Sequence, residues 1–197
     1  MTRCADGPAG EPPTSGGPSG PTDQSEDPAA GTRGPRVVIV MGVSGSGKTT
    51  VGRMVAARMG WAFVDADDHH PPANVAKMAR GEALTDEDRM PWLARLRALI
   101  DASLTNDAPM VLACSALKRR YREILRVGDP RLALVFLRGD EARIAERMRA
   151  RTDHYFRAAL LHSQFEALEE PVDALVVDVD ATPEAITDDI VHLLSSG

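Results

Sequence analysis

The chain has 197 residues, 43% of them apolar but only 4% aromatic, which suits one domain with an aliphatic core of Val, Leu, Ile, Ala and Met. A formal charge of −6 argues against the basic face of a general nucleic-acid binder, although a few local cations can still hold a small anion. Cys4 and Cys114 make neither a disulfide framework nor a metal cluster. With no run of about 18 apolar residues and no apolar leader, a soluble cytoplasmic protein is expected.

Residues 1–35 are dense in Gly and Pro and carry two Arg against five acidic residues. Such a segment buries too little surface to offset its ordering entropy, so it is expected to be a disordered extension to a domain over 36–197. The pattern changes at Arg36. Residues 37–41 are a β-branched run that fits a strand covered on both faces. Helical spacing follows to Met59, then a strand over 61–64 and a short helix over 74–80. A longer amphipathic helix over 86–103 repeats Trp92, Leu93, Leu96, Leu99 and Ile100 at intervals of three and four. Residues 110–114 read as a third strand, and 117–127 as a helix stopped by Gly128-Asp129-Pro130. A fourth strand over 132–137, helices over 141–151 and 156–168, and a fifth strand over 174–179 complete the alternation. Pro183 opens the last helix with Thr182 placed to cap it. Strands alternating with helices predict an α/β fold, a three-layer sandwich around about five parallel strands.

Gly42-Val43-Ser44-Gly45-Ser46-Gly47-Lys48-Thr49 matches G-x-x-x-x-G-K-[ST] at every position, between a predicted strand and a predicted helix. Glycines allow a tight bend that aims successive N–H groups at one point, where the positive helix end adds to the anion site. Lys48 is placed for the β- and γ-phosphates of ATP, Thr49 for Mg²⁺, and Thr50 lies beside them. A chance Gly-rich turn would explain the glycines but not strand, spacing, Lys and Thr together. No guanine-recognition stretch is present, and the third strand ends in Ala113-Cys114-Ser115 rather than in an Asp. If that strand neighbours the phosphate loop, the usual metal-supporting acid must come from elsewhere.

Asp65 and Asp67 follow the second strand at the end of the sheet where ligands bind. Two residues apart, they would share a face of an extended strand. One could support Mg²⁺ through water, which suits Asp65, and the other, Asp67, could orient or deprotonate an attacking hydroxyl. His70 is placed to hydrogen-bond a polar substrate.

These blocks resemble the gluconokinase family of P-loop small-molecule kinases, which is similar to shikimate kinases. The resemblance runs through Asp65-x-Asp67-x-x-His70-Pro71, Lys77-Met78-x-x-Gly81, Leu84-Thr85-Asp86-x-Asp88-Arg89-x-Pro91-Trp92-Leu93 and Cys114-Ser115-Ala116-Leu117-Lys118-x-x-Tyr121-Arg122. It resumes at His154-Tyr155-Phe156, Ser163-Gln164-Phe165-Glu166-x-Leu168-Glu169 and Val176-Val177-Asp178, and so spans 36–195. It implies a nucleoside-monophosphate-kinase-like fold with a lid, ATP-dependent phosphorylation of D-gluconate at its 6-hydroxyl, and a homodimer. Gluconate, a carboxylate with five hydroxyls, needs cations and hydrogen-bonding groups. Arg89, Lys118 and Arg122 are the candidate cations, Asp67 and His70 the hydroxyl partners, and His154 a further substrate contact. Arg147 and Arg151 lie in the stretch read as the lid and suit the charge of a transferring phosphoryl group. Thr152-Asp153 stand there where the family has a basic residue and Gly. Trp92 is read as core before sugar platform. Two alternatives remain open: a kinase of another small acid such as shikimate, and a regulatory protein that binds nucleotide without transferring phosphate.

Overall fold

The computed structural model describes residues 34–150 and 158–196. They form five parallel strands, β1 (Val37–Met41), β2 (Ala62–Asp65), β3 (Met110–Ala113), β4 (Leu132–Arg138) and β5 (Leu175–Asp178), in the order β2-β3-β1-β4-β5. The helices are α1 (Lys48–Met59), α2 (Pro72–Ala79), α3 (Asp86–Thr105), α4 (Arg119–Ile124), α5 (Glu141–Ala150), α6 (Ala158–Ala167) and α7 (Pro183–Ser195).

β1 is central, and its five side chains are fully buried. Alternation along it divides the core in two. Val38 and Val40 join Val51 and Val55 of α1 and Ile186 and Ile190 of α7. Val37, Ile39 and Met41 join Trp92, Leu93, Leu96 and Ile100 of α3 and Tyr121 of α4. Each such aliphatic side chain contributes about 1.5–3 kcal/mol on burial. The three-layer α/β fold expected from the alternation is the one observed.

Element ends shift by up to a few residues from expectation, and near the site the differences have local reasons. β2 starts one residue later than expected, because Gly60 (φ +67°) ends α1 and the Trp61 N–H donates back to the Ala56 carbonyl at 2.9 Å. The helix expected from Leu117 begins only at Arg119, since Ala116 is left-handed (φ +45°) and Lys118 extended. Asp67 is not on an extended strand with Asp65. It lies in a single 3₁₀ turn over Ala66–His69, whose Asp67 N–H donates to Asp65 Oδ1 at 3.2 Å. A closed capping box starts α3: the Asp88 N–H donates to the Thr85 hydroxyl at 3.2 Å, and the Thr85 N–H to Asp88 Oδ2 at 2.7 Å. Thr182 caps α7 as expected, accepting from the Ala185 N–H at 3.3 Å.

Candidate active site

The phosphate loop leaves the buried end of β1 and turns into α1, so its N–H groups converge at the helix's positive end. Gly47 (φ +99°) makes the entry to α1, a conformation that costs an L-residue about 1–2 kcal/mol. At Gly45 (φ +81°) a Cβ would lie 2.6 Å from Met148 Cγ, so α5 packs directly on the bare loop. Lys48 Nζ folds back to donate to the Val43 carbonyl at 2.9 Å. Burial pushes its ammonium below the usual lysine range, against the opposing pull of Asp67.

β3 does lie beside β1, and it ends at Ala113, followed by Cys114 with no carboxylate. Burial pushes that thiol up to about 12. A carboxylate does reach the loop from one strand further out: Thr49 Oγ1 donates to Asp65 Oδ2 at 2.8 Å. Asp65 thus accepts from the Thr49 hydroxyl with one oxygen and caps the Asp67 turn with the other. Asp67 is left with a side chain 81% exposed, opening into the cavity that Lys48 also lines.

That cavity has a volume of about 600 Å³, within the usual range for small-molecule sites. His70 stacks on Trp92 with ring centroids 4.4 Å apart and planes 11° from parallel. Trp92 is buried and donates from Nε1 to the Ala66 carbonyl at 2.7 Å. Buried Asn74 donates from Nδ2 to the Asp88 carbonyl at 2.7 Å and faces His70 Nδ1 at 3.4 Å. With Nδ1 accepting, the ring proton is assigned to Nε2, which faces Asp67 Oδ1 at 4.0 Å. Burial lowers the His70 pKa from its ordinary value, which favours the neutral imidazole at pH 7.

Arg89 and Lys118 also line it. The Arg89 guanidinium donates to the Leu84 carbonyl and lies 5.9 Å from the Tyr121 ring centre. Lys118 Nζ is 3.1 Å from Asp86, which also receives the Tyr121 hydroxyl and Arg120. Arg122 is not where the sequence reading put it. It is buried, does not line the cavity, and donates to the Ala116 and Leu117 carbonyls at 3.0 and 2.9 Å. It holds the strained loop that presents Lys118.

A second cleft, of about 350 Å³, is lined by Gly45, Ser46, Gly47 and Thr50 of the phosphate loop and α1 and by Arg147, Ala181 and Pro183. Arg151 and His154, and the Thr152-Asp153 departure, lie outside the described residues. Sequence reasoning assigned no role to Ser115, Tyr121 and Gln164, which also line the larger cavity. Their only signal was membership of the resembling blocks.

One phosphate loop serving two clefts, with an acid and a lysine on the acceptor side, defines a P-loop kinase of small polar molecules. The shikimate kinase family model matches residues 44–195. The thermoresistant gluconokinase of Escherichia coli (strain K12) is 41% identical over 165 residues, covering 82% of this chain and 94% of that protein. A crystal structure of a gluconokinase from Sinorhizobium meliloti 1021 aligns with TM-score 0.74 at 45% identity, covering 83% of this chain and 94% of the other. An unliganded sugar kinase from Janibacter sp. HTCC2649 aligns with TM-score 0.75 at 43% identity, covering 82% and 95%. The chain belongs to the gluconokinase family, within the shikimate-kinase-type P-loop kinases.

Proposed function

We propose that this protein transfers the γ-phosphoryl group of ATP to the 6-hydroxyl of D-gluconate, giving 6-phospho-D-gluconate and ADP. The observation that carries this reading is the lining of the larger cavity: Lys48 and Asp67, which act on each other electrostatically, and a second cluster in which Arg89 and Lys118 lie 5.9 and 5.7 Å from the Tyr121 ring centre. A linear polyol with a carboxylate at one end and a primary hydroxyl at the other can meet both clusters. Relatives named gluconokinase across most of the chain support the same substrate.

Nucleotide occupies the cleft with Thr50 and Arg147, its phosphates on loop N–H groups such as those of Gly47, Lys48 and Thr49 at the start of α1. Gluconate lies across the loop, its carboxylate toward Arg89 and Lys118 and its hydroxyls toward His70. Asp67 accepts the proton of the 6-hydroxyl as that oxygen bonds to the γ-phosphorus. The bond from phosphorus to the β–γ bridging oxygen breaks in line, and ADP leaves with that electron pair. Lys48 neutralises charge on the transferring group.

The hydroxyl–carboxylate pair of Thr49 and Asp65 offers the oxygen donors a hard cation takes, so these residues fit Mg²⁺, Asp65 acting through water. Among the described residues no three His, Cys, Asp or Glu side chains could hold a metal by themselves, which suits an ion shared with nucleotide phosphates. When bound, Mg²⁺ supplies charge neutralisation at the β- and γ-oxygens. Arg151 and His154 are proposed from the sequence pattern as further phosphate and substrate contacts. A homodimer, with residues 1–35 outside the catalytic unit, is proposed from the resemblance and composition. No helix among the described residues is long and apolar enough to cross a membrane.

The test is ADP release from purified protein with Mg²⁺-ATP, comparing D-gluconate, shikimate, glucose and no acceptor. Turnover with gluconate alone is expected; turnover only with another acceptor would move the substrate. In the same assay Asp67→Asn lowers kcat by roughly 10²–10⁴-fold, the usual worth of a general base, while ATP affinity holds. Loss of ATP binding instead would remove Asp67 from the hydroxyl's side of the reaction.

A further inference from the structure

The block Ser163–Glu169 takes no part in the chemistry above, yet it touches both sides of the site. Gln164, on α6, faces Ser44 in the phosphate loop. Its Oε1 accepts the Ser44 N–H at 2.7 Å, and its Nε2 donates to Ser44 Oγ at 2.9 Å. Both ends of one amide are committed to a single loop residue 120 positions away. Further along, Glu169 Oε2 accepts the Arg119 N–H at 2.6 Å, and the Glu169 N–H donates to the Leu117 carbonyl at 3.0 Å. Those two bonds flank Lys118 in the acceptor cavity. Leu161, three residues before Gln164 and buried in the core, anchors the helix.

The Ser44 N–H belongs to the same peptide unit as the Val43 carbonyl, and that carbonyl receives Lys48 Nζ at 2.9 Å. A peptide unit is planar, so holding its N–H fixes the direction of its C=O. Gln164 and Lys48 therefore grip opposite edges of one plane. Without Gln164 that plane can rotate, and Lys48 moves with it. Displacing a catalytic group by about 1 Å can cost about 10²-fold in rate.

We infer that Gln164 is a positioning residue for phosphoryl transfer: through the Val43–Ser44 peptide it sets where the Lys48 ammonium meets the phosphates, while Glu169 ties the same segment to the acceptor loop. This rests on the kinase reading.

The test is a double-mutant cycle between Gln164→Met, which keeps the side chain's bulk without its polar ends, and Lys48→Met. Single-turnover rates at saturating ATP and gluconate are measured for all four proteins, with Mg²⁺-ATP affinities by calorimetry in the absence of acceptor. On the wild-type background Gln164→Met is expected to lower the rate about tenfold and ATP affinity about threefold, with KM for gluconate within about twofold. On the Lys48→Met background it should change neither by more than about twofold, because the group it positions is gone. Gln164→Glu keeps an oxygen for the Ser44 N–H, and should recover part of the lost ATP affinity; it also serves if the Met variant melts early. Equal losses on both Lys48 backgrounds would overturn the inference, as would a loss confined to thermal stability or to KM for gluconate. If the wild type fails to turn over gluconate but the calorimetric coupling holds, the substrate reading has failed and the positioning role stands.

Discussion

Replacing Trp92 with Phe separates an indole that builds the site from one that stacks on a sugar. In the structure Trp92 is buried, one ring face lies on His70, and Nε1 donates to the Ala66 carbonyl at 2.7 Å. Phe keeps an aromatic face for His70 but has no donor. Leaving that carbonyl dry costs about 1–3 kcal/mol. The missing ring atoms leave a void comparable to two methylenes, worth roughly 1–2 kcal/mol. The combined loss of roughly 2–5 kcal/mol corresponds to a fall in Tm on the order of 5–15 °C for a domain of this size. Ala66 opens the turn that carries Asp67, so kcat should also fall several-fold while KM for gluconate changes little. Thermal unfolding followed by circular dichroism, with steady-state kinetics below the transition, measures both. An unchanged Tm with a tenfold rise in KM for gluconate would refute the reasoning and make Trp92 a substrate platform.

Other consequences are open to direct measurement. Lys48→Ala removes the cation from the γ-phosphate and should cut turnover at least 10²-fold; near-normal turnover in the ADP-release assay would take the phosphate loop out of the mechanism. Cys114, its thiol pushed up to about 12 by burial, should resist iodoacetamide in the native protein and be alkylated only after denaturation, as peptide mapping by mass spectrometry would show. Asp88 is held at about 2 by its bond from Lys77 and by the Thr85 N–H, below its ordinary 3.8. Because the folded value is depressed, its contribution is present above about pH 4 and is lost as the pH falls toward about 2. The Tm gap between wild type and Asp88→Asn should therefore be open near neutral pH and close over that acid window. A gap that persists at about pH 2 would contradict this.

The sequence by itself determined the features that short-range physics encodes. A β-branched run, the eight-position loop and the start of α1 are contiguous, so strand, anion site and Lys48 were legible together. The apolar stripe of α3, the Thr182 cap and the α/β alternation were legible for the same reason, since helical and strand periods are written along the chain. The residue types at Asp65, Asp67, His70, Arg89 and Lys118 could be named from the sequence, with Asp65 set toward the metal and Asp67 toward the hydroxyl, but the two acids were placed together on one extended strand. Only the tertiary structure decided that Asp65 takes Thr49 while a 3₁₀ turn swings Asp67 into the cavity. It likewise turned Arg122 from a substrate cation into a clamp on two carbonyls, because the left-handed Ala116 needed holding. The bond between Gln164 and Ser44 joins residues 120 positions apart, and no periodicity or spacing along the chain carries a contact of that kind. Such contacts depend on sheet order and on which helix faces which loop, and those are settled when the two cores close on either side of β1.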